Sequence, residues 1–222
     1  MSSNFRLHII RHAEGTHNPR HDTTILDPEL TEAGLQQSKA LCHDFPFKED
    51  VGLVIASPLR RTLKTALLGF EGCLDKQFYA NKSGIEHGAT LLLEPDVQAH
   101  SARPCDTGSE WSVLKSEFPD LPWDTMELDE VFPAKTGRYA PEREFLQQRG
   151  WDLQRRMKEQ FLEMEGSQRK DIVVVTHGGY IKFVTGNGGL GVGQAKWASF
   201  NVTFDEEEKL VLGGVFLIRA RV

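Results

Sequence analysis

The 222-residue chain is predicted to form a three-layer α/β/α sandwich around a mainly parallel sheet, and three features predict it. Six short runs are rich in β-branched residues, as pleated, half-buried strands require. Helical patterns separate the first four of these runs, and strand–helix alternation builds parallel sheets with both faces covered. Hydrophobic residues make up 39% of the chain, enough for a sizeable core.

The elements follow in order. Residues 5–10, FRLHII, form the first strand. Thr31 caps a helix over 31–45 in which Leu35, Ala40 and Leu41 share a face. VGLVIAS, 51–57, is the second strand, and Ser57 with Pro58 opens a helix whose Leu59, Leu63, Ala66, Leu67 and Phe70 fall at core spacing. TLLLE, 90–94, is the third strand.

From about 94 to 141 the chain is rich in proline and poor in long apolar runs, which predicts an irregular insertion capping the sheet edge. A long helix is expected over 142–164, with Phe145, Trp151, Leu153, Met157, Phe161 and Met164 inward, a solvated polar face, and Gly166 at its end. DIVVVT, WASFNVTF and KLVLGGVFLIRARV are the last strands, the final two joined by DEEEK as a C-terminal hairpin. The whole reads as a single domain, 1–222.

Formal net charge is −6 and no lysine or arginine block occurs, so the electrostatic footprint for nucleic acid or an anionic membrane is missing. MSSNFRLHII has no secretory pattern, and no segment approaches the roughly 18 apolar residues of a spanning helix, so a cytoplasmic protein is expected. Cys42, Cys73 and Cys105 are odd in number and lack metal-type spacing, which fits reduced, inert thiols. The histidines show no zinc spacing such as HExxH.

Three apolar runs deliver basic residues at their carboxyl ends: LHIIRH, LVIASPLRR and IVVVTHGG. Open α/β sheets bind ligands at the carboxyl ends of their strands, so parallel neighbours would bring Arg11, His12, Arg61 and His177 together. Such groups repel one another unless an anion neutralises them, and phosphate matches the fork of arginine. Backbone N–H groups at Gly178 and Gly179 add neutral donors if a helix opens there. The run Gly186–Gly193 lacks the Lys-Ser/Thr of a P-loop and reads as a connection or lid.

RHAEGTHN, DPELTEAGLQQ, SPLRRTLKTA and VVVTHGG together resemble, in order and spacing, the histidine phosphatase superfamily, also called phosphoglycerate mutase-like. RPCDTGS is similar to fungal members. The resemblance covers most of the chain. It implies that His12 attacks phosphorus and forms a phosphohistidine that water hydrolyses, splitting one difficult displacement into two. It further implies that Arg11, Arg61 and His177 hold the equatorial oxygens, with Asn18 as a neutral donor and Gly178 supplying a backbone N–H. Neighbouring helix positions diverge by about 100°, and the family pattern selects Arg61 over Arg60. By the same resemblance Glu14 orients an arginine, while Thr16, His17 and His21 touch the rest of the substrate. No metal or organic cofactor is implied.

The pattern departs from the family in places. Ala13 stands where glycine is common. Nothing resembles the YGGLQG stretch of the phosphomutases, which favours hydrolysis. The carboxylic acid that protonates the leaving alkoxide aligns with Ala99, which has no proton to give, and Glu94, Asp96, His100 and Asp106 are the candidate substitutes. The preferred reading is a phosphomonoesterase acting on a small organic phosphate. One alternative is the same fold repurposed as an acid/base lyase, isomerase or hydrolase on a carboxylate or phenolic metabolite. A second is a non-catalytic anion-binding module. The expected partner is a small anionic molecule, phosphate ester or carboxylate, with a homodimer left open. Trp111, Phe118, Trp123 and Phe132 either line an apolar pocket or anchor the insertion.

Overall fold

The computed structural model describes residues 5–216 apart from positions 80, 82, 126, 127, 189 and 206–209. Strand β1 (Phe5–Arg11) leads through a long loop to helix α1 (Glu32–Asp44), then β2 (Val51–Ala56), α2 (Arg60–Gly69) and β3 (Thr90–Leu93). After β3 come short 3-10 turns and one brief helix, α3 (Trp111–Glu117). The chain then forms α4 (Arg143–Glu163), β4 (Asp171–Thr176), α5 (Ile181–Thr185), β5 (Trp197–Phe204) and β6 (Leu210–Phe216). Among the described residues no helix is long and apolar enough to cross a membrane.

The six strands form one sheet in the order β3-β2-β4-β1-β5-β6. β1, β2, β3 and β4 are mutually parallel, and β5 and β6 add an antiparallel edge. This is the mixed, mostly parallel α/β architecture expected. Its last two strands pair as a hairpin, whose turn at 206–209 lies outside the described residues, as do 217–222.

Period-two alternation divides the core between the two faces of the sheet. Leu7, Ile9, Leu53, Ile55, Ile172 and Val174 pack with α4 and α5 residues such as Leu153, Met157 and Val184. Ile10, Val54, Ala56, Val173 and Val175 face the other way, onto Leu41, Leu63 and Ala66 of α1 and α2. Strands buried on both faces read as continuous apolar runs, which is why these were conspicuous in the sequence.

Several local expectations are corrected. Ala40 is exposed, and α1 instead buries Gly34, Ser38 and Leu41, an i, i+4, i+7 stripe. Trp151 is 57% exposed, and its neighbours Leu146, Arg149 and Gly150 turn inward. Arg149 is thus an exception to the solvated face of α4: its guanidinium is buried and donates to the carbonyls of Asp96 and Gln98. Ser57 does not cap α2. Leu59 takes the cap position without a side-chain bond, and the Arg60 N–H is met by Asp27 Oδ1 at 3.1 Å.

Trp123, Phe118 and Phe132 belong to the core on the α1–α2 face, with Trp111 packed against them and 4.7 Å from Phe132 between ring centroids. Three of these aromatics therefore anchor the segment after β3. Phe118 also borders a cleft of about 430 Å³ beside α2, lined by Lys64, Leu67, Tyr79 and Leu121.

Candidate active site

The β-sheet register sets the site. β4 lies between β2 and β1, with Arg11 opposite Thr176 and Ala56 opposite Val175. The His12 N–H extends the ladder by donating to Thr176 O at 2.9 Å, and the Ser57 N–H donates to Val175 O at 3.1 Å. His12, Ser57 and His177 therefore emerge at the carboxyl ends of three adjacent parallel strands. Arg61 joins them from the first turn of α2. Thr65 fastens that turn to the loop after β1: its hydroxyl donates to Arg61 O and accepts the Ala13 N–H at 3.1 Å.

His12 is 3% exposed. Its Nδ1 lies 2.7 Å from Ala13 O; a carbonyl only accepts, so the proton is on Nδ1 and Nε2 carries the lone pair. The Arg61 Nε–H points at that nitrogen from 3.3 Å. Burial first, and then the Arg61 charge, hold the imidazole well below its ordinary value of 6.5, so it is neutral at neutral pH. A neutral imidazole whose lone pair is engaged only by the long hydrogen bond from Arg61 can act as a nucleophile.

His177 is fixed in the same way. Arg61 Nη2 donates to its Nδ1 at 2.9 Å, which leaves the proton on Nε2 to bond Ser57 Oγ at 2.9 Å. Burial and the Arg61 charge lower its pKa well below 6.5 too. The two rings are 5.2 Å apart. His17 completes a third side, 6.0 Å from His12 between ring centroids, and its pKa falls to about 4, chiefly through burial.

The donors outnumber the acceptors. Arg11 Nε, Arg61 Nη1 and His17 Nδ1 are buried without a hydrogen-bond partner. Buried polar groups are almost always satisfied, so such a cluster of orphaned donors marks a ligand position. Gly178 belongs to the same corner: a Cβ there would come within 3.2 Å of Arg11 Nε. Among the described residues no group of three or more His, Cys, Asp or Glu is arranged to hold a metal ion.

Other predicted residues sit differently. Asn18 Oδ1 accepts from the Gly15 N–H and from Gln194, while its Nδ2 donates to His17 Nε2 at 2.9 Å. That bond puts the His17 proton on Nδ1, so Asn18 aims His17. Glu14 does not meet an arginine: its Oε1 accepts from the Thr31 hydroxyl at 2.7 Å and docks α1. Thr16 and His21 are exposed. Arg60 turns outward to Glu29 and Glu117, so Arg61 is the inward member of the pair. The expected helix start at Gly178 and Gly179 is a turn instead; α5 begins at Ile181 and has five residues. Cys42 is half-buried, and Cys73 and Cys105 are buried, the Cys73 thiol pushed up to about 12 by desolvation.

The candidate acids separate into two groups. Glu94 pairs with Arg156 at 3.0 Å, and Asp96 pairs with Arg138 and Arg156, all toward α4. Asp106 and His100 stand near the site: Asp106 Oδ1 is 3.5 Å from Arg61 Nη2, and its Oδ2 is 3.7 Å from His100 Nδ1. Ala99 is 1% exposed. Its carbonyl accepts from Lys135 Nζ at 2.8 Å. Lys135 and Gln194 carry no motif of their own and only the fold brings them to this place, whereas Ser57 and Thr65 lie within the SPLRRTLKTA block, which does not mark them as site residues.

With that geometry in hand, part of the chain matches one family by sequence. Residues 7–73 match the model of the histidine phosphatase superfamily (branch 1). Phosphoglycerate mutase-like protein 1 of Arabidopsis thaliana is 29% identical over 203 residues, 79% of this chain and 68% of that one. A probable phosphatase of Schizosaccharomyces pombe is 26% identical over 175 residues, 78% and 73% of the two chains. A mycobacterial glucosyl-3-phosphoglycerate phosphatase, solved with VO3, superposes with a TM-score of 0.56 at 18% identity, over 95% of this chain and 97% of that one. This last likeness is one of fold. The superfamily resemblance read from the four motifs therefore holds. Its fungal side is minor, because plant relatives match as well.

Proposed function

Starting from an enzyme of phosphatase or mutase type, as the superfamily match and the relatives indicate, we propose that this protein hydrolyses the phosphate monoester of a small organic molecule through a phosphohistidine on His12. The observation that carries this reading is the set of unpaired buried donors, Arg11 Nε, Arg61 Nη1 and His17 Nδ1, around a neutral histidine whose Nε2 lone pair is held ready. Phosphoryl transfer needs little covalent chemistry from the protein beyond a nucleophile. It needs positive charge and N–H groups fixed where the equatorial oxygens gather charge.

In this mechanism His12 Nε2 attacks phosphorus in line with the leaving oxygen. Arg11, Arg61 and His17 hold the three equatorial oxygens, and His177 is locked between Arg61 and Ser57 so that the guanidinium cannot swing away. Water then cleaves the N–P bond and releases phosphate. Hydrolysis is preferred over mutase chemistry because the phosphoglycerate-binding stretch similar to YGGLQG is not in the sequence.

The test is phosphate release from a panel of monoesters by the wild-type protein, Arg61→Met and His12→Ala. Release that is lost in His12→Ala, with the variant still folded by circular dichroism, supports the reading. Undiminished release in that variant refutes it.

A further inference from the structure

When a phosphate ester transfers its phosphoryl group, the leaving oxygen has to gain a proton unless it is a very good leaving group. Most groups around His12 have no proton to give, among them the His17 ring, which is neutral with its pKa at about 4. His12 is the nucleophile. His177 gives its one proton to Ser57. Arginines hold theirs far too tightly, with ordinary values above about 12. Asp106 is occupied on both oxygens: one accepts from the Ser101 backbone N–H and hydroxyl, and the other faces the Arg61 guanidinium. Burial lowers the pKa of His100, which leaves that ring neutral at neutral pH. Glu94 and Asp96 are held by Arg156 and Arg138. Ala99 has nothing to donate.

Lys135 remains. We propose that Lys135 is the proton donor to the leaving oxygen, its ammonium positioned by the carbonyl of Ala99. The Nζ–O distance is 2.8 Å, and an ammonium has two further N–H bonds to offer. Ala99 precedes His100, whose Nδ1 lies 3.7 Å from Asp106 Oδ2, and Asp106 Oδ1 is 3.5 Å from Arg61 Nη2, so the ammonium stands at the edge of the same cluster, where Arg61 and Asp106 act on its charge. The proposal rests on the phosphoryl-transfer reading above.

The surroundings tune the group. Burial, and then Arg149 from α4 and Arg61 from α2, disfavour its charge, while Asp106 and Asp27 favour it; the balance brings the ammonium down to about 7. A general acid works best when its pKa lies near the working pH. In the first half-reaction His12 Nε2 bonds to phosphorus, the P–O bond to the leaving group breaks, and a proton moves from Lys135 Nζ to that oxygen. In the second, water attacks phosphorus, the N–P bond breaks, and the amine of Lys135 takes the proton from the water. Lysine and histidine both return to their starting forms.

The experiment compares wild type, Lys135→Met and Lys135→Arg on dinitrophenyl phosphate, whose leaving group needs no proton, and on phenyl phosphate, whose leaving group does. Because kcat/KM reports the first half-reaction alone, both variants are expected to lose about 10²- to 10⁴-fold more in kcat/KM on the phenyl ester than on the dinitrophenyl ester, while the dephosphorylation common to both esters slows by one shared factor. Arginine keeps the charge without the transferable proton, so a wild-type rate for Lys135→Arg on phenyl phosphate would overturn the proposal. The unmodified protein gives a second reading. Its phenyl to dinitrophenyl rate ratio should fall as pH rises through about 7, and a flat ratio would also overturn it. If the wild-type protein hydrolyses neither ester, the phosphatase reading fails and this proposal with it; if it hydrolyses both with no Lys135 dependence, only this proposal fails.

Discussion

Two buried histidines lie four positions apart at β1, and they do opposite things. His8 is fully buried, its Nδ1 2.7 Å from Ser199 Oγ and its Nε2 3.1 Å from Asp171 Oδ2. Arg6 donates to the same carboxylate, and the ring stacks on Phe47 with Phe45 edge-on. Ser, His and Asp in a hydrogen-bonded line look like a catalytic set, yet both ring nitrogens have partners and Ser199 is 2% exposed. At His12 the balance is reversed: one nitrogen has a carbonyl, the other faces a guanidinium, and nearby donors have no acceptor. Residue type does not separate a structural polar cluster from a ligand site. The surplus of donors over acceptors does.

The largest contrast should come from removing each ring. His12→Ala is expected to reduce phosphate release by on the order of 10⁴-fold or more with little change in melting temperature. His8→Phe should keep kcat within a few-fold and cost about 1–3 kcal/mol of stability, because Asp171 and Ser199 lose a buried partner. Denaturant titration and steady-state kinetics on both variants check this. A dead but stable His8→Phe would break the comparison.

Next in size is the arginine pair. Arg61→Met should lower kcat/KM by about 10²- to 10³-fold, as loss of a preorganised oxyanion donor does. Arg60→Met, on the outward neighbour, should leave it near the wild-type value. The serines sharpen the same point more gently. Ser57→Ala frees the His177 ring and should reduce kcat about fivefold, the equivalent of about 1 kcal/mol for one hydrogen bond, while Ser199→Ala should register in the melting temperature alone.

The smallest expected effect concerns pH. His8, His12 and His177 all have folded pKa values lowered from 6.5, chiefly by burial. Below pH 6.5 the unfolded chain therefore binds more protons than the folded one, so stability is full above that value and declines as pH falls toward the folded pKa values. Inorganic phosphate should relieve the decline that arises from His12 and His177, because an anion favours their charged forms, and leave the part due to His8. Melting curves across acidic pH, with and without phosphate, separate the two.

Much of this was legible in the sequence. Strands buried on both faces are continuous apolar runs, so β1, β2, β4 and β5 stood out, and the basic residues after three of them marked one end of the sheet. What was hidden has physical reasons. Glu14 and Asn18 are polar loop residues whose partners, Thr31, His17 and Gln194, are chosen by loop geometry rather than by periodicity. Trp151 sits on a helix whose inward stripe includes a buried arginine, so hydrophobicity alone pointed to the wrong face. Lys135 lies 36 residues from Ala99 in an irregular segment, where no repeat predicts contact.

The most direct test of the central claim is a single-turnover reaction quenched in alkali, in which phosphohistidine survives, followed by peptide mapping. The account predicts one phosphoryl group on His12, formed faster than phosphate is released and missing in His12→Ala. Phosphate release at full rate with no phosphorylated His12 at any time would contradict it.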